Sequence, residues 1–178
     1  QSTDGVDYDT QYTYNLGGAL IEETYPSGRV VKNTFDQDGN LSQVQSKKNA
    51  ANGFWTYASG FAFDSAGNVK KMQLGNGRWE TASYNNRSQI TQIGLGVTDS
   101  AQDLLKLEYK YDTNSTSYDN NGSMREQKIT VPTANGTAGF TATQTDSYDA
   151  LNRLGSAEET IAGSTTWKQT FEIDRYGN

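Results

Sequence analysis

The amino-acid sequence predicts an all-β fold of repeated antiparallel β-hairpins with almost no helix. Three observations carry this prediction. A short motif built around a turn recurs along the chain, apolar and polar residues alternate with a period of two between the motifs, and helix signals are nearly absent. Self-similarity at a period of about 20 to 50 residues indicates an architecture built from repeats.

The repeated motif is an aromatic residue, Asp or Asn, two variable residues, Gly or a polar residue, Asn or Arg, and an aliphatic residue. Its clearest copies are FDQDGNL at 35–41, FDSAGNV at 63–69 and YDALNRL at 148–154. Weaker copies are YNLGGAL at 14–20, YNNRSQI at 84–90, the half-copy DNNGSM at 119–124 and a terminal IDRYGN at 173–178. The residues that carry the motif are Tyr14, Gly18, Phe35, Asp36, Gly39, Asn40, Phe63, Asp64, Gly67, Asn68, Tyr84, Tyr148, Asp149, Asn152, Arg153, Asp174 and Gly177.

Each copy of the motif has a physical interpretation as the tip of a hairpin. Asp and Asn side chains bond the backbone two residues on, and Gly or Asn tolerates a positive φ, which is what a tight hairpin turn requires. The aromatic and the aliphatic residue then bracket the tip, one on each strand. Further turn signals lie at 26–28, 75–77, 135–136 and 162–164.

The segments between the tips alternate as strands do. Residues 105–111 place Leu and Tyr on one face and Lys and Glu on the other, and 167–174 repeat the pattern with Trp, Gln, Phe and Ile. Such alternation predicts strands buried on one side only. The best helix candidate, 99–105, is limited to one or two turns. Polar stretches at 47–53, 113–122 and 133–139 predict long loops between hairpins.

Composition excludes several classes of function. The chain has 15 Lys and Arg against 21 Asp and Glu, a net charge of −6, which opposes binding to nucleic acid. No apolar run reaches about 18 residues, so no membrane insertion is expected. With neither Cys nor His, the chain lacks the usual activated nucleophiles and transition-metal ligands. We therefore predict no catalytic residue, no metal and no cofactor.

Paired acids are the remaining catalytic material. A glycosidase needs two carboxylates about 5 to 10 Å apart across a cleft. Glu22 with Glu23, and Glu158 with Glu159, are adjacent in predicted strands. Adjacent residues of a strand point to opposite faces, so neither pair can act together.

The aromatic residues leave two interpretations open. Trp55, Tyr57 and Trp79 are candidates for stacking on the rings of a glycan, and FWTYASGFAF at 54–63 holds five aromatics in ten residues. The alternative, which we favour, is that these rings supply buried area in a thin sheet. Exposure distinguishes the two, because a binding platform leaves two or more rings accessible on one face.

FDQDGNL, FDSAGNV, YDALNRL and IDRYGN resemble the YD or RHS repeats of bacterial RHS toxins, toxin-complex proteins, wall-associated proteins and the teneurins of animals. The linking segments 74–96, 104–112 and 167–178 resemble bacterial RHS sequences, and the resemblance covers the chain from about Tyr14 onward. It implies a curved or spiralling sheet of hairpins that winds into a hollow shell around a C-terminal toxin or other cargo. It also implies a secreted or bacterial cell-surface location.

The chain departs from that family pattern in two ways. Residues 1–178 contain neither the Asp-Pro-rich segment that caps the shell in that family nor a toxin domain. We therefore expect residues 1–178 to form a single repeat region of about six to seven units that contributes non-catalytic wall to a longer shell. The expected partners are the rest of that shell, or other copies of the chain, bound through open strand edges. Carbohydrate binding by exposed aromatics is the alternative function.

Overall fold

The computed structural model of the protein describes residues 2–113 and 119–174. In these residues the chain forms strands joined by turns and loops, and no helix. The strands are β1 (Ser2–Thr3), β2 (Val6–Asp7), β3 (Gln11–Tyr14), β4 (Leu20–Thr24), β5 (Val30–Phe35), β6 (Leu41–Lys47), β7 (Trp55–Phe63), β8 (Val69–Leu74), β9 (Trp79–Tyr84), β10 (Ile90–Gly96), β11 (Leu105–Lys110), β12 (Glu126–Val131), β13 (Phe140–Tyr148), β14 (Leu154–Ile161) and β15 (Ser164–Thr170). Accordingly, no helix that could cross a membrane occurs in the part of the chain described.

Strands β3 to β15 form one antiparallel sheet whose order follows the chain, and β1 pairs with β2 separately. The thirteen-stranded sheet does not close, so β3 and β15 are its edges. The prediction of repeated antiparallel hairpins is therefore confirmed. The chain divides into two compact units, residues 1–80 and 81–178.

One turn geometry recurs at seven places in the described chain. The N–H of the first residue donates to the carbonyl of the fifth, and the N–H of the fourth donates back to the carbonyl of the first. The fourth residue has a positive φ, as in a three-residue hairpin loop that ends in a bulge. The first residues of these turns are Asn15, Tyr25, Asp36, Asp64, Leu74, Asn85 and Asp149.

The motif fixes the strand register on each side of its turn. Where the register is described, the aromatic residue pairs across the hairpin with the aliphatic residue six positions later, and the register shifts just before the aromatic. These pairs are Tyr14 with Leu20, Phe35 with Leu41, Phe63 with Val69 and Tyr148 with Leu154. The aromatic and the aliphatic therefore bracket the tip as the sequence predicts.

Alternate connections fall at the same end of the strands, because consecutive strands are antiparallel neighbours. In the unit of residues 1–80, the motif turns that open at Asn15, Asp36 and Asp64 lie at one end, and the turns at Tyr25 and Leu74 lie at the other. In the unit of residues 81–178, the motif turns at Asn85 and Asp149 share an end with the loop between β11 and β12. Each unit thus gathers its motif turns at one end.

Few side chains of the sheet are fully buried. Val30 and Ala142, exposed by 7% and 2%, are the buried hydrophobic residues of the described chain, and Ser46 is its buried polar residue at 4%. Most other strand residues are half-buried on both faces. Stability therefore depends on cross-strand side-chain pairs and ladder hydrogen bonds, and on each strand having its neighbours.

Two sequence predictions fail. Strand β15 ends at Thr170, and all its residues are exposed, so the one-sided burial expected for 167–174 is wrong. The reason is position, because an edge strand is covered from one side only. Residues 99–104 form a turn followed by a loop, with no helix, and residue 105 begins β11. The chain folds straight back onto β10, where a Cβ on Gly96 would lie 2.1 Å from the carbonyl oxygen of Ala101.

Candidate functional site

The first side chain of each motif turn closes that turn from within. An Oδ1 atom accepts the N–H of the fifth residue at 2.8 to 3.1 Å in the turns that open at Asn15, Asp36, Asp64, Asn85 and Asp149. In the last four it also accepts the N–H of the third residue. This is the local bonding for which Asp and Asn are favoured in turns. The turns at Tyr25 and Leu74 keep the same backbone geometry without it.

Asp64 shows the motif in its fullest form. Its Oδ2 accepts the side-chain amide of Asn68 at 3.0 Å, while its Oδ1 accepts the N–H groups of Ala66 and Asn68 at 2.9 Å each. The hydrogen bond from the side-chain amide of Asn68, together with those from the backbone N–H groups, holds the pKa of Asp64 below its usual value. The carboxylate is thus occupied within its own turn.

Asp149 forms the equivalent turn with arginine in place of asparagine. The backbone N–H and the guanidinium Nε of Arg153 donate to its two carboxylate oxygens at 3.0 and 2.7 Å, which lowers the pKa of Asp149. Arg153 also donates from Nη1 to the carbonyl of Asp174 at 2.9 Å. The arginine therefore connects two motif copies, while Gly177 of the last copy lies outside the described residues.

The half-copy at 119–124 joins the turns on either side of it. Asn120 and Gln89 exchange side-chain hydrogen bonds at 2.7 and 3.3 Å, and Arg87 donates to the carbonyl of Asn120. Asn121 donates to the side chain of Asn152. Motif turns about 31 residues apart are thereby cross-linked along one end of the 81–178 unit. The sequence does not reveal these contacts, because they depend on the lateral spacing of strands.

The acid pairs are placed as adjacent strand residues, as predicted. Glu158 accepts from Lys168 and Thr165, and Glu159 accepts from Gln144 and Thr166. Glu158 thus bonds two residues of β15, whereas Glu159 bonds one residue of β13 and one of β15. Among the described residues, no group of three acidic side chains is placed to hold a metal ion.

The three candidate stacking residues separate. Trp55 and Tyr57, exposed by 75% and 52%, both belong to β7 and line one cavity, so they lie on the same side of the strand. Trp79 is half-buried. Its ring covers Gly60, where a Cβ would lie 2.9 Å from it, and Lys71 lies 5.5 Å from its centre. The buried interpretation thus describes Trp79 better than it describes Trp55 and Tyr57.

Trp55 and Tyr57 line a cavity of about 460 Å³ together with four polar residues that the sequence alone does not single out. These are Arg29, Ser46, Lys48 and Asn52. They come from the turn just before β5, from the end of β6 and from the loop after it. No sequence signal could have identified them, because strand register brings them together. We refer to these six residues as the β7 cavity.

Comparison with solved structures identifies the fold. A chain in the crystal structure of TcdB2-TccC3-TEV matches 96% of this chain with a TM-score of 0.63 and 14% identity. The Photorhabdus luminescens Tc holotoxin pore, carrying a mutation in TccC3, matches 92% with a TM-score of 0.61 and 15% identity. The crystal structure of TcdB2-TccC3 matches 93% with 0.62 and 14%. This chain spans 9% to 10% of those chains.

No protein-family model and no curated protein matches the sequence. At the identities found, the structural likeness shows a shared fold. It agrees with the motif copies at 35–41, 63–69 and 148–154, whose turns and registers are those of repeated hairpins. The chain therefore has the repeated-hairpin fold of the RHS/YD-repeat chains found in toxin complexes.

Proposed function

We propose that residues 1–178 are one repeat region that acts as a non-catalytic wall segment of a longer, secreted or cell-surface bacterial shell enclosing or presenting a toxin or other cargo. One observation carries the proposal: the carboxylates that open the motif turns bond within those turns, and the sheet that the turns build has two open edges. Such a sheet can form part of a wall, and its two open edges can pair with the next strands of that wall.

The likeness to toxin-complex chains supports this role. Those chains are about ten times longer than this one. The matching region covers nearly all of this chain and about a tenth of each of them. A hairpin cannot bury its apolar face without neighbours, so stability in such repeats grows with the number of stacked units. Among the side chains described in residues 2–113 and 119–174, only those of Val30, Ala142 and Ser46 are buried, as a wall one sheet thick requires.

The partners follow from the edges. Strand β15 is exposed at every residue, and β3 is exposed at all four of its residues at the other edge. Unpaired edge strands bind further strands through backbone hydrogen bonds. We propose the rest of the parent shell as the partner, with other copies of this chain pairing when the chain is studied alone.

The test is the mass in solution, measured by light scattering over a wide range of concentrations. We expect the mass to rise above the 19.5 kDa of a single chain as concentration increases. The Thr170→Pro variant should associate less. The N–H of Phe171 donates to the carbonyl of Gly155, and successive N–H groups alternate in direction, so that of Thr170 points away from β14.

The matched control is Thr170→Val, which keeps the backbone N–H and should associate as the wild type does. Since Thr170→Pro leaves β3 open, its association should stop at pairs joined through β3. A mass of 19.5 kDa at all concentrations would contradict pairing through the edges. Equal association of both variants would show that β15 is not the edge that pairs.

Carbohydrate binding is the second candidate function. The observation that favours it is the exposure of two aromatic rings, Trp55 and Tyr57, on one face of β7 beside polar side chains. Rings in that position can stack on sugar rings while the polar groups bond hydroxyls. Its test is binding of oligosaccharides by calorimetry, with Trp55→Ala as the variant that should lose it.

A further inference from the structure

The β7 cavity is built on one face of the sheet by strand register. Val31 pairs with Ser46, and Ser46 pairs with Trp55, so all three side chains point to the same face. Arg29 bonds Ser46 and lies over the ring of Tyr57, and both residues line the same cavity, so their side chains lie on this face as well. The cavity floor is the buried Ser46, and its walls are an arginine and two aromatic rings.

Arg29 is held in place within the cavity. Its Nε donates to the hydroxyl of Ser46 at 3.1 Å, and its guanidinium lies 5.6 Å from the centre of the Tyr57 ring. A guanidinium fixed by one nitrogen and stacked on an aromatic ring keeps its other N–H groups directed for an incoming acceptor. The cavity therefore contains a positioned donor.

The cavity is cationic in an acidic protein. Arg29 and Lys48 both line it, and neither forms an ion pair with a residue of the described chain, although the net charge is −6. Glu23, which pairs with Val31 and so shares the face, accepts a hydrogen bond from the hydroxyl of Tyr25 at 3.1 Å. The two cations are thus available to a negatively charged group.

We propose that the β7 cavity binds an acidic carbohydrate, with a sugar ring stacked on Trp55 and the carboxylate of that sugar, or of the next one, between Arg29 and Lys48. Asn52 and Ser46 supply hydrogen bonds to hydroxyls. This inference rests on the second candidate function and adds the class of its ligand. The shell role of the chain does not depend on it.

Both halves of the ligand follow from the residues. A bare anion would leave Trp55, exposed by 75%, without a partner, whereas the apolar face of a sugar ring covers such a side chain. A neutral sugar would leave Arg29 and Lys48 without a counter-charge. Charge-assisted bonds to a carboxylate are stronger than bonds to neutral hydroxyls. An acidic sugar satisfies the ring and the cations together.

The test is calorimetric titration of the full chain with two matched probes. One is a hexasaccharide of alternating glucuronate and N-acetylglucosamine, and the other is the same hexasaccharide with each carboxylate reduced to an alcohol. We expect the acidic probe to bind, and the reduced probe to bind with an affinity at least about fivefold lower. Added salt should weaken the acidic probe alone.

Three variants assign the binding to the cavity. Trp55→Ala should weaken the acidic probe about tenfold. Lys48→Gln should weaken it about fivefold and leave the reduced probe unchanged. The matched control is Lys32→Gln, which removes an equal charge from the opposite face, where Lys32 lies 5.7 Å from the ring of Phe54. It should bind as the wild type does, and far-UV circular dichroism checks that all three variants are folded.

The outcomes separate the two proposals. Equal binding of both probes, lost in Trp55→Ala, would keep carbohydrate binding and overturn the acidic ligand. Binding of the acidic probe that survives Trp55→Ala but falls with salt and with Lys32→Gln would show charge attraction alone, which also overturns the site. Failure of both probes to bind the wild type would overturn both the acidic ligand and carbohydrate binding at this cavity.

Discussion

Asn68 donates twice to the carboxylate of Asp64, from its backbone N–H at 2.9 Å and from its side-chain amide at 3.0 Å. The two residues stand at the first and fifth positions of a motif turn, which the carboxylate therefore closes from inside. Arg153 and Asp149 repeat the arrangement with a guanidinium. The motif therefore specifies a turn geometry that recurs within the chain, and its polar groups close that turn.

The fourth position of each motif turn should resist side chains that disfavour a positive φ. Gly67 has φ of 84°, with open space where a Cβ would stand. Gly67→Ala should lower the free energy of unfolding by about 1 kcal/mol, because only backbone strain opposes it. Gly67→Asn should cost less, since Asn152 holds the same place with φ of 60°. Urea denaturation measures both, and equal losses would contradict the explanation by φ.

The motif turns should weaken in acid. The pKa values of Asp64 and Asp149 lie below their ordinary 3.8 in the folded chain, so both carboxylates stabilise the fold at pH values above 3.8. That contribution is lost as the pH falls through the lowered values. Replacing both by Asn should reduce the urea midpoint at about pH 6 and have much less effect near pH 2. A reduction of the same size at both pH values would show that charge is not involved.

The contact between Gln89 and Asn120 should stabilise the 81–178 unit. The two amides exchange two half-buried hydrogen bonds between turns. Replacing each by Ala, singly and together, should give a coupling energy of about 1 kcal/mol in a double-mutant cycle. Asn121→Ala, which removes the bond to Asn152, is the comparison variant. A coupling energy near zero would mean that the two turns are independent.

Asp146 should destabilise the fold at neutral pH. Burial raises the pKa of Asp146 above the ordinary 3.8, so the ionised carboxylate is less stable in the folded chain than in the unfolded chain. Asp146→Asn should therefore raise the urea midpoint at about pH 7. Its advantage should shrink as the pH falls through the raised pKa, because the wild-type carboxyl then becomes neutral as well. An advantage that persists unchanged in acid would point to hydrogen bonding by the new amide.

The sequence predicts the turns well because their bonds are local. Asp36 with Gly39 and Asn40, or Asp149 with Asn152 and Arg153, contain all the groups that close the turn. Pairing of the flanking aromatic and aliphatic residues then follows from the turn. Edge effects do not follow, which is why the exposure of Trp167 and Phe171 was not predicted. Those residues alternate as buried strands do, but β15 has a strand on one side only.

The candidate carbohydrate site was predictable only in part. The aromatic-rich segment 54–63 identifies Trp55 and Tyr57 as candidates. Trp79, the third candidate, instead packs against Gly60. Arg29 and Lys48 join the site through the pairing of β5 with β6 and of β6 with β7. The loop between β6 and β7 has no repeated turn signal to set that register from sequence. The positions of these two charges therefore cannot be predicted from the sequence alone, because they depend on how the strands pair.

The motif turn restores the same register each time it occurs, with Phe35 opposite Leu41 and Phe63 opposite Val69. A duplication or deletion of two consecutive strands with their turn would therefore keep the sheet antiparallel, and only the strands that flank the change would gain new partners. A sheet built this way can widen or narrow in steps of one hairpin while it stays continuous.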